Sequence, residues 1–461
     1  MTRYWCPLLW TGRPGPGGLH RDVLLTVEKQ RFEAVEPGVG TPPPDAVRLS
    51  GFSMPGLANA HSHAFHRALR GRTHSGRGSF WTWREQMYEV ADRLDPDSYR
   101  DLARATYAEM ALAGVTTVGE FHYLHHAPGG ARYADPNVMS AALVQAAADA
   151  GVRITLLDAC YLNGGLDSDG RSVPLTGPQL RFGDGTADAW ATRVDAFRPA
   201  GEHARVGAAI HSVRAVPPDQ MRTVARSSAG SQALHVHVSE QRAENDACHA
   251  AYGHTPVHML DAAGALHPTT TLVHATHLSA ADLALVQHAG ARTCLCPTTE
   301  RDLADGIGPA VSLHERQPHS LCLGSDSHAV IDLFEEARAV ELDERLRTQS
   351  RGHFTADTLL VAAVSGHDAL AWDGAGRIEP GTRADLVTLD TDSVRLAGCA
   401  DWSGTDRGID HTALAAIAFA AGAPDVRHVL VDGRPVVRDG RHLLVDDVPA
   451  ALTRSVRKVL R

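Results

Sequence analysis

Between about residue 51 and residue 372, the sequence alternates short apolar runs with longer Ala- and Leu-rich stretches such as Tyr99–Ala113 and Met139–Ala150. The runs have the length of buried parallel strands, and the stretches have the length and composition of helices. Eight such strand–helix units close into a barrel, so we expect an α/β fold built on a (β/α)8 TIM-like barrel. Besides the run that leads into His61, the predicted strands are Thr116–Phe121, Ile154–Ala159, Val206–Ile210, Ala233–Val238, Thr271–Ala275, Ala291–Cys296 and Leu321–Ser325.

Both ends of the chain differ from this middle part. They consist of short, β-branched runs bounded by glycine, proline or Asp-Gly, which is typical of strands and turns. Two β-rich ends around a long barrel predict a small β-sandwich domain formed by residues 1–50 and 373–461, with the barrel over residues 51–372. The predicted strands of this domain include Asp22–Glu28, Asp385–Asp390, Val426–Asp432 and Pro435–Arg438.

Net charge, cysteine content and the lack of long apolar segments argue against several kinds of partner and structural feature. The formal net charge is −10, so neither nucleic acid nor an anionic membrane surface is expected to bind. The seven cysteines are odd in number and contain no CxxC pair, which predicts neither a disulfide framework nor a cysteine zinc site. No basic segment followed by an apolar run opens the sequence, and no stretch reaches about 18 apolar residues. We therefore expect a cytoplasmic enzyme with a small-molecule substrate.

Four of the predicted barrel strands end in metal-ligating side chains. The first ends in His61 and His63, which lie two residues apart and so face the same side of a strand. His237 ends the fifth strand, His274 the sixth, and Asp326 follows the eighth. Each alone could be a core histidine or a capping aspartate, but the carboxyl ends of barrel strands share one rim. Nitrogen and oxygen ligands that converge there predict a catalytic metal site.

These motifs resemble the amidohydrolase superfamily, as does the segment at residues 376–387, which closes the small β domain in many members. The resemblance implies that His61, His63, His237 and Asp326 bind the metal, with His274 beside the attacking water. Two-metal members usually bridge their ions with a carboxylated lysine. The only lysines here are Lys29 and Lys458, outside the barrel, so we expect one divalent ion, with Zn²⁺ the best match to this ligand set.

The resemblance also implies the roles of three catalytic residues. Glu240 lies three positions after His237, and in the mononuclear deaminase branch this glutamate carries protons from the water to the leaving nitrogen. Asp326 would accept the proton of the water, and His274 would orient the nucleophile or stabilise developing charge. Alone, Glu240 would be interpreted as an ordinary helix-start carboxylate.

Three further segments, residues 79–88, 120–126 and 211–216, resemble the formimidoylglutamate deiminase family. The resemblance implies hydrolytic deimination of N-formimino-L-glutamate to N-formyl-L-glutamate and ammonia in histidine degradation, by a metal-activated water. Such a substrate carries two carboxylates, which arginine binds through paired hydrogen bonds. We expect Arg84 and Arg214 to bind them, and Tyr123 and His211 to add neutral donors.

Two positions depart from the pattern of this family: His66 stands where a glutamine is expected, and Asp302 where an asparagine is expected. Both could alter substrate preference, and we count His66 among the substrate-binding residues. One alternative is a related aminohydrolase acting on a heterocycle such as guanine or cytosine. A second is an inactive barrel used as a scaffold, although all ligands and Glu240 are present. Enzymes with this resemblance are often homodimers, but the sequence carries no interface signature.

Overall fold

A computed structural model describes residues 1–74, 78, 80–227, 233–402 and 412–461. Its central element is an eight-stranded parallel sheet in which every strand pairs with its neighbour in chain order. The first and eighth strands meet through a bridge between Ser62 and Asp326, which closes the sheet into a barrel. The strands are Leu57–Ser62, Val115–His122, Arg153–Cys160, Ala204–Ile210, Leu234–Val238, Thr270–His274, Arg292–Leu295 and Leu321–Leu323.

The predicted barrel is confirmed, and the ends of the seven predicted strand ranges deviate by no more than two residues. The strands are buried along nearly their whole length, as in Val115–His122, because helices cover the outside of the barrel. The helices are Phe80–Arg93, Pro96–Leu112, Val138–Ala150, Ala187–Ala196, Pro218–Ser227, Arg242–Tyr252, Pro256–Ala262, Ala280–Ala289, Pro297–Asp302, Ala310–Arg316, Leu333–Thr348, Ala356–Ala369, Thr412–Ala420 and Val448–Leu460. Short 3-10 turns lie at Pro16–Gly18, Ala64–Leu69, Pro128–Gly130, Gly177–Arg181 and Ala423–Asp425.

Segments from both ends of the chain form a second sheet, as predicted. Eight of its nine strands make one hydrogen-bonded path in which Phe52–Pro55 lies between Thr2–Trp10 and Leu386–Leu389, and the ninth, Val47–Arg48, pairs with Thr2–Trp10 beside this path. We keep the division at residues 50/51 and 372/373 as a proposal. The strands are Thr2–Trp10, Leu19–Glu28, Arg31–Glu36, Val47–Arg48, Phe52–Pro55, Leu386–Leu389, Val426–Val431, Arg434–Arg438 and Arg441–His442, and a separate pair is formed by Gly165–Leu166 and Ser172–Val173.

A buried arginine joins the two sheets. Arg153 begins the third barrel strand and has no exposed surface. Its Nη1 donates to Asp385 Oδ1 at 2.8 Å and to Asp432 Oδ1 at 3.0 Å, and both aspartates belong to the terminal segment. A buried charge requires such paired acceptors, so this contact fixes the terminal sheet at the amino-terminal side of the barrel, opposite the predicted metal site.

Among the described helices, none combines the length and apolar character needed to cross a membrane. The free cysteines are buried except Cys399.

Candidate active site

The carboxyl-terminal rim of the barrel carries strained backbone. Four non-glycine residues there have positive φ: Ser239 at 52°, His274 at 67°, Ala275 at 51° and Asp326 at 41°. Residues with a Cβ rarely adopt this conformation, and such strain persists only where the surrounding structure enforces it. The rim therefore holds His274 and Asp326 in unusual backbone positions close to the ends of their strands.

The predicted metal ligands converge at this rim. Nε2 of His61 lies 3.0 Å from Nε2 of His237 and 3.3 Å from Oδ1 of Asp326. Nε2 of His63 lies 3.4 Å from the same Asp326 oxygen. All four side chains are buried. The side chains of His61, His237 and Asp326 thus form one candidate ligand group together with His274, and His63 joins it through the shared Asp326 side chain.

The hydrogen bonds behind the histidine rings suit a cation in this ligand group. Nδ1 of His63 donates to the Phe121 carbonyl at 2.9 Å, and Nδ1 of His237 donates to the His211 carbonyl at 3.0 Å. Each carbonyl acceptor fixes the proton on Nδ1 and leaves the Nε2 lone pair facing inward. Facing lone pairs repel unless a positive charge lies between them. The donor set therefore fits a divalent ion with nitrogen and oxygen ligands.

Burial sets the charge state of this ligand set. Burial and the neighbouring His61 lower the pKa of His63 to about 3, and burial also lowers the pKa of His61 and His237. Burial opposes ionisation of Asp326, but the hydrogen bond and charge of His61 hold its pKa below the usual value. Neutral imidazoles and an ionised carboxylate are the forms that bind metals.

The predicted catalytic residues lie beside the ligands. Nε2 of His274 is 3.8 Å from Oε1 of Glu240 and 3.8 Å from Oδ2 of Asp326. Glu240 is 5% exposed, and burial raises its pKa, which favours a carboxyl group that can hold a proton. The His274 ring thus lies between Asp326 and Glu240, and of these two carboxyl groups Glu240 is the one whose raised pKa favours holding a proton.

All five predicted substrate-binding residues line one pocket above this cluster: His66, Arg84, Tyr123, His211 and Arg214. Nε2 of His66 lies 3.0 Å from the Tyr123 hydroxyl, and the His211 ring packs 4.1 Å from the ring of Tyr161. Apolar and aromatic side chains complete the wall, including Phe80, Trp83, Met87 and Phe182. The pocket is therefore an aromatic-walled cavity with polar groups converging on its base.

The two arginines differ in how many hydrogen bonds their guanidinium groups already make with the protein. Arg84 Nη2 donates to the Gly164 carbonyl at 3.0 Å and to the Tyr161 hydroxyl at 3.3 Å, and Nε donates to Tyr88. Arg214 Nε lies 3.9 Å from Glu244 Oε1, too far for a hydrogen bond, and has no partner among the described residues. Arg214 therefore has more unused hydrogen-bonding capacity than Arg84.

Several residues that line the pocket or lie beside it were absent from the sequence-based prediction. Glu300 contacts His274, Glu244 lies beside Arg214, and Tyr161 and Phe182 line the wall. Glu300 follows the seventh strand on the short helix Pro297–Asp302, too far beyond the strand end for the strand-end rule to identify it. Asp302, in contrast, lies in an outer groove, where its Oδ1 is 2.6 Å from His74 Nε2. Ser79, the first residue of one predicted substrate segment, lies outside the described residues.

A second histidine cluster lies outside this pocket. His122 and His125 are buried beside Asp158. Both Asp158 oxygens accept hydrogen bonds from Arg193 at 2.8 Å, so this carboxylate is already neutralised by a cation. The cluster is therefore much less suited to a metal than the rim site.

Comparisons with known proteins identify relatives of this chain by sequence and by fold. A model of the amidohydrolase family matches residues 52–436. A formimidoylglutamate deiminase from Pseudomonas aeruginosa is 38% identical over 409 residues, which cover 86% of this chain and 87% of that protein. An 8-oxoguanine deaminase from the same organism is 31% identical over 356 residues, 76% of each chain. The crystal structure of an amidohydrolase from Brucella melitensis superposes with a TM-score of 0.86 at 29% identity and full coverage of both chains.

Proposed function

The chain belongs to the amidohydrolase family, and we propose that it hydrolyses N-formimino-L-glutamate to N-formyl-L-glutamate and ammonia. The observation that carries this proposal is that Arg84 and Arg214 line the same pocket as Glu240 and His274. A dicarboxylate with an amidine group needs cationic donors at one end of its site and proton-transfer groups at the other. The 38% identical formimidoylglutamate deiminase supports the same substrate.

We further propose that His61, His63, His237 and Asp326 hold one divalent ion, and that this ion is Zn²⁺. Histidine nitrogens with a single carboxylate are a common zinc ligand set. No lysine occurs in the barrel to bridge a second ion. When bound, the ion supplies Lewis acidity, which makes a water molecule more acidic and polarises the amidine carbon.

In this proposal the protein side chains carry the protons. Asp326 accepts a proton from the attacking water as the new C–O bond forms at the amidine carbon. Glu240 takes the second proton of the water from the oxygen on the tetrahedral carbon and delivers a proton to the terminal nitrogen, because the C–N bond breaks readily only when this nitrogen leaves as neutral ammonia. His274 Nε2 faces both carboxyl groups and stabilises the charge that develops between them.

The substrate carboxylates would lie toward the arginines. We propose that Arg214, whose Nε makes no hydrogen bond to the described residues, binds one carboxylate directly. Arg84 binds the other while Tyr88 and Tyr161 hold its guanidinium in place. Tyr123, His211 and His66 add hydrogen bonds from the wall.

The enzyme's cytoplasmic location and its oligomeric state, with a homodimer as the alternative to a monomer, stay predictions from the sequence.

A heterocyclic substrate is the second candidate, because aromatic rings of Trp83, Tyr123 and Phe182 line the pocket and could stack on a base. The test is ammonia release by zinc-loaded protein from N-formimino-L-glutamate, with guanine and cytosine as parallel substrates. Rapid turnover of N-formimino-L-glutamate alone supports the proposal. Turnover of a heterocycle alone would replace it with the second candidate.

A further inference from the structure

The side chain of His274 is contacted at both ring nitrogens. Nε2 faces Glu240 and Asp326 in the site described above. Nδ1 points away from the pocket, and Oε1 of Glu300 lies 3.3 Å from it. A carboxylate can only accept a hydrogen bond, so this contact requires that Nδ1 carry a proton. No other hydrogen-bond partner of Nδ1 occurs among the described residues.

Glu300 is itself held in place. It lies on the short helix Pro297–Asp302, which follows the seventh barrel strand, and is 5% exposed. Its Oε1, the same oxygen that faces His274, accepts the Cys296 backbone N–H at 2.8 Å. The backbone N–H of Glu300 donates to the Cys296 carbonyl at 2.9 Å. The position of this oxygen is therefore determined by the main chain at the end of a barrel strand.

Three carboxyl groups surround the His274 imidazole. Glu240 and Asp326 lie on the Nε2 side of the ring, and Glu300 lies on the Nδ1 side. Proton transfer to substrate requires only the two groups on the Nε2 side. Glu300 lies on the other side of the ring, where it cannot touch the substrate. A role other than proton transfer to the substrate is therefore needed to explain its position.

We propose that Glu300 is a positioning residue for the reaction, which fixes the ring orientation and the Nδ1-protonated form of His274 and so directs Nε2 at the reacting atoms. The inference rests on the proposed function, because it assigns Glu300 a role in that same reaction. Carboxylates behind a functional histidine commonly act in this way. The backbone strain at His274, with φ of 67°, does not fix the side-chain torsions, so the ring needs a partner of its own.

Two substitutions separate the parts of this role. In Glu300→Gln the Cys296 N–H still requires an acceptor, so the amide oxygen should occupy the Oε1 position and keep the contact with Nδ1 while the negative charge is lost. In Glu300→Ala both the acceptor and the charge are lost. Glu336→Gln is a matched control: this buried glutamate accepts the Thr298 N–H at 2.9 Å and supports the same short helix without contacting His274.

The first measurement is steady-state kinetics on N-formimino-L-glutamate with zinc-loaded protein. We expect Glu300→Ala to lower kcat by about 10- to 100-fold with little change in KM or zinc content. Glu300→Gln should lose less than about tenfold, and Glu336→Gln should match the wild type. Wild-type kcat in Glu300→Ala, or an equal loss in Glu336→Gln, would overturn the inference.

The second measurement does not use activity. In ¹⁵N-histidine-labelled protein, the ring resonances of His274 are assigned by their disappearance in His274→Asn. We expect a protonated, hydrogen-bonded Nδ1 in the wild type and in Glu300→Gln, and a changed signal in Glu300→Ala. An unprotonated Nδ1 in the wild type would overturn the inference, even if Glu300→Ala does not fold. If the wild type does not turn over N-formimino-L-glutamate, the proposed function fails, whereas this signal tests the His274–Glu300 contact by itself.

Discussion

Nε2 of His61 and Nε2 of His237 lie 3.0 Å apart although 176 residues separate the two histidines in the sequence. They belong to the first and fifth strands, on opposite sides of the barrel. With Oδ1 of Asp326 3.3 Å from the same His61 nitrogen, this pair fits a divalent cation. This pair therefore ties the barrel topology directly to the proposed metal site.

Removing one of these ligands should release the metal. We expect His237→Asn to lose most of its zinc and to lower kcat/KM more than about 100-fold, because a ligand and its orientation are lost together. His235→Asn is the control: His235 lies on the same strand but bonds the Ala369 carbonyl at 3.1 Å, away from the site. Metal content by mass spectrometry and ammonia release measure both variants. Equal zinc in the two variants would argue against the ligand assignment.

Glu240→Gln should retain zinc but lose most of the reaction rate. The amide cannot carry a proton to the leaving nitrogen, so kcat should fall by about 10²- to 10⁴-fold while KM changes little. Steady-state kinetics with measured zinc occupancy test this prediction. A variant that keeps wild-type kcat would show that another group supplies the proton.

The two arginines should contribute unequally. Arg214→Met removes a cation with unused hydrogen-bonding capacity. It should lower kcat/KM by about 30- to 160-fold, which corresponds to about 2–3 kcal/mol, mostly through a higher KM. Arg84→Met should show a clear but smaller loss, because Gly164 and Tyr161 already bond its guanidinium. Arg222→Met, at an exposed position, is the control. If both pocket variants behave like this control, the substrate does not bind through its carboxylates.

Gly324 lies where the first and eighth strands are in close contact. We expect that a residue with a Cβ cannot replace it without a loss of stability. A Cβ at this position would lie 2.7 Å from His61 Cβ and 2.8 Å from its carbonyl oxygen. Gly324→Ala should therefore displace a metal ligand and destabilise the protein by about 1–3 kcal/mol. Gly40→Ala is a suitable control, because no atom lies within 4 Å of the added Cβ. Urea unfolding and zinc content measure the effect; wild-type values for Gly324→Ala would contradict it.

The ion pair of Asp158 and Arg193 should give a specific pH dependence of stability. Burial opposes ionisation of Asp158, but Arg193 outweighs it and lowers the pKa of Asp158 to about 2. A carboxyl with a lowered folded-state pKa stabilises the protein above its unfolded value of about 4 and loses that contribution as the pH falls toward 2. This contribution is about 2 kcal/mol at neutral pH.

Asp158→Asn is the variant that tests this contribution. It should be less stable than the wild type at pH 7, and the difference should shrink between about pH 4 and pH 2. Urea unfolding of zinc-free protein at several pH values measures it without metal release. A difference that does not change with pH would contradict the assigned pKa shift.

The placement of the proposed metal ligands could be predicted because these residues obey a local rule. His61, His63, His237 and Asp326 each lie at a strand end, and the ends of parallel strands share one rim. Glu300 escaped prediction because it lies four residues beyond Cys296 on a short helix, within a charged segment typical of exposed surface. Only the fold shows that its side chain turns inward to His274.

The arrangement of the terminal sheet could not be predicted either. Phe52–Pro55 pairs with both Thr2–Trp10 and Leu386–Leu389, and such pairing over long sequence distances leaves no local signal. In the sequence Arg153 stands at the edge of an apolar run with no sign of a partner, but in the fold it is buried and donates hydrogen bonds to Asp385 and Asp432. Asp302 attracted attention because an asparagine is expected at its position. Its side chain, however, pairs with His74 outside the pocket.

The most direct test of the account is proton NMR of N-formimino-L-glutamate incubated with zinc-loaded protein, with Glu240→Gln as the inactive control. The account predicts that N-formyl-L-glutamate and ammonia form in equal amounts with the wild type, and far more slowly with the variant. No formyl product from the wild type, in protein that binds zinc and deaminates guanine or cytosine, would contradict the proposed substrate.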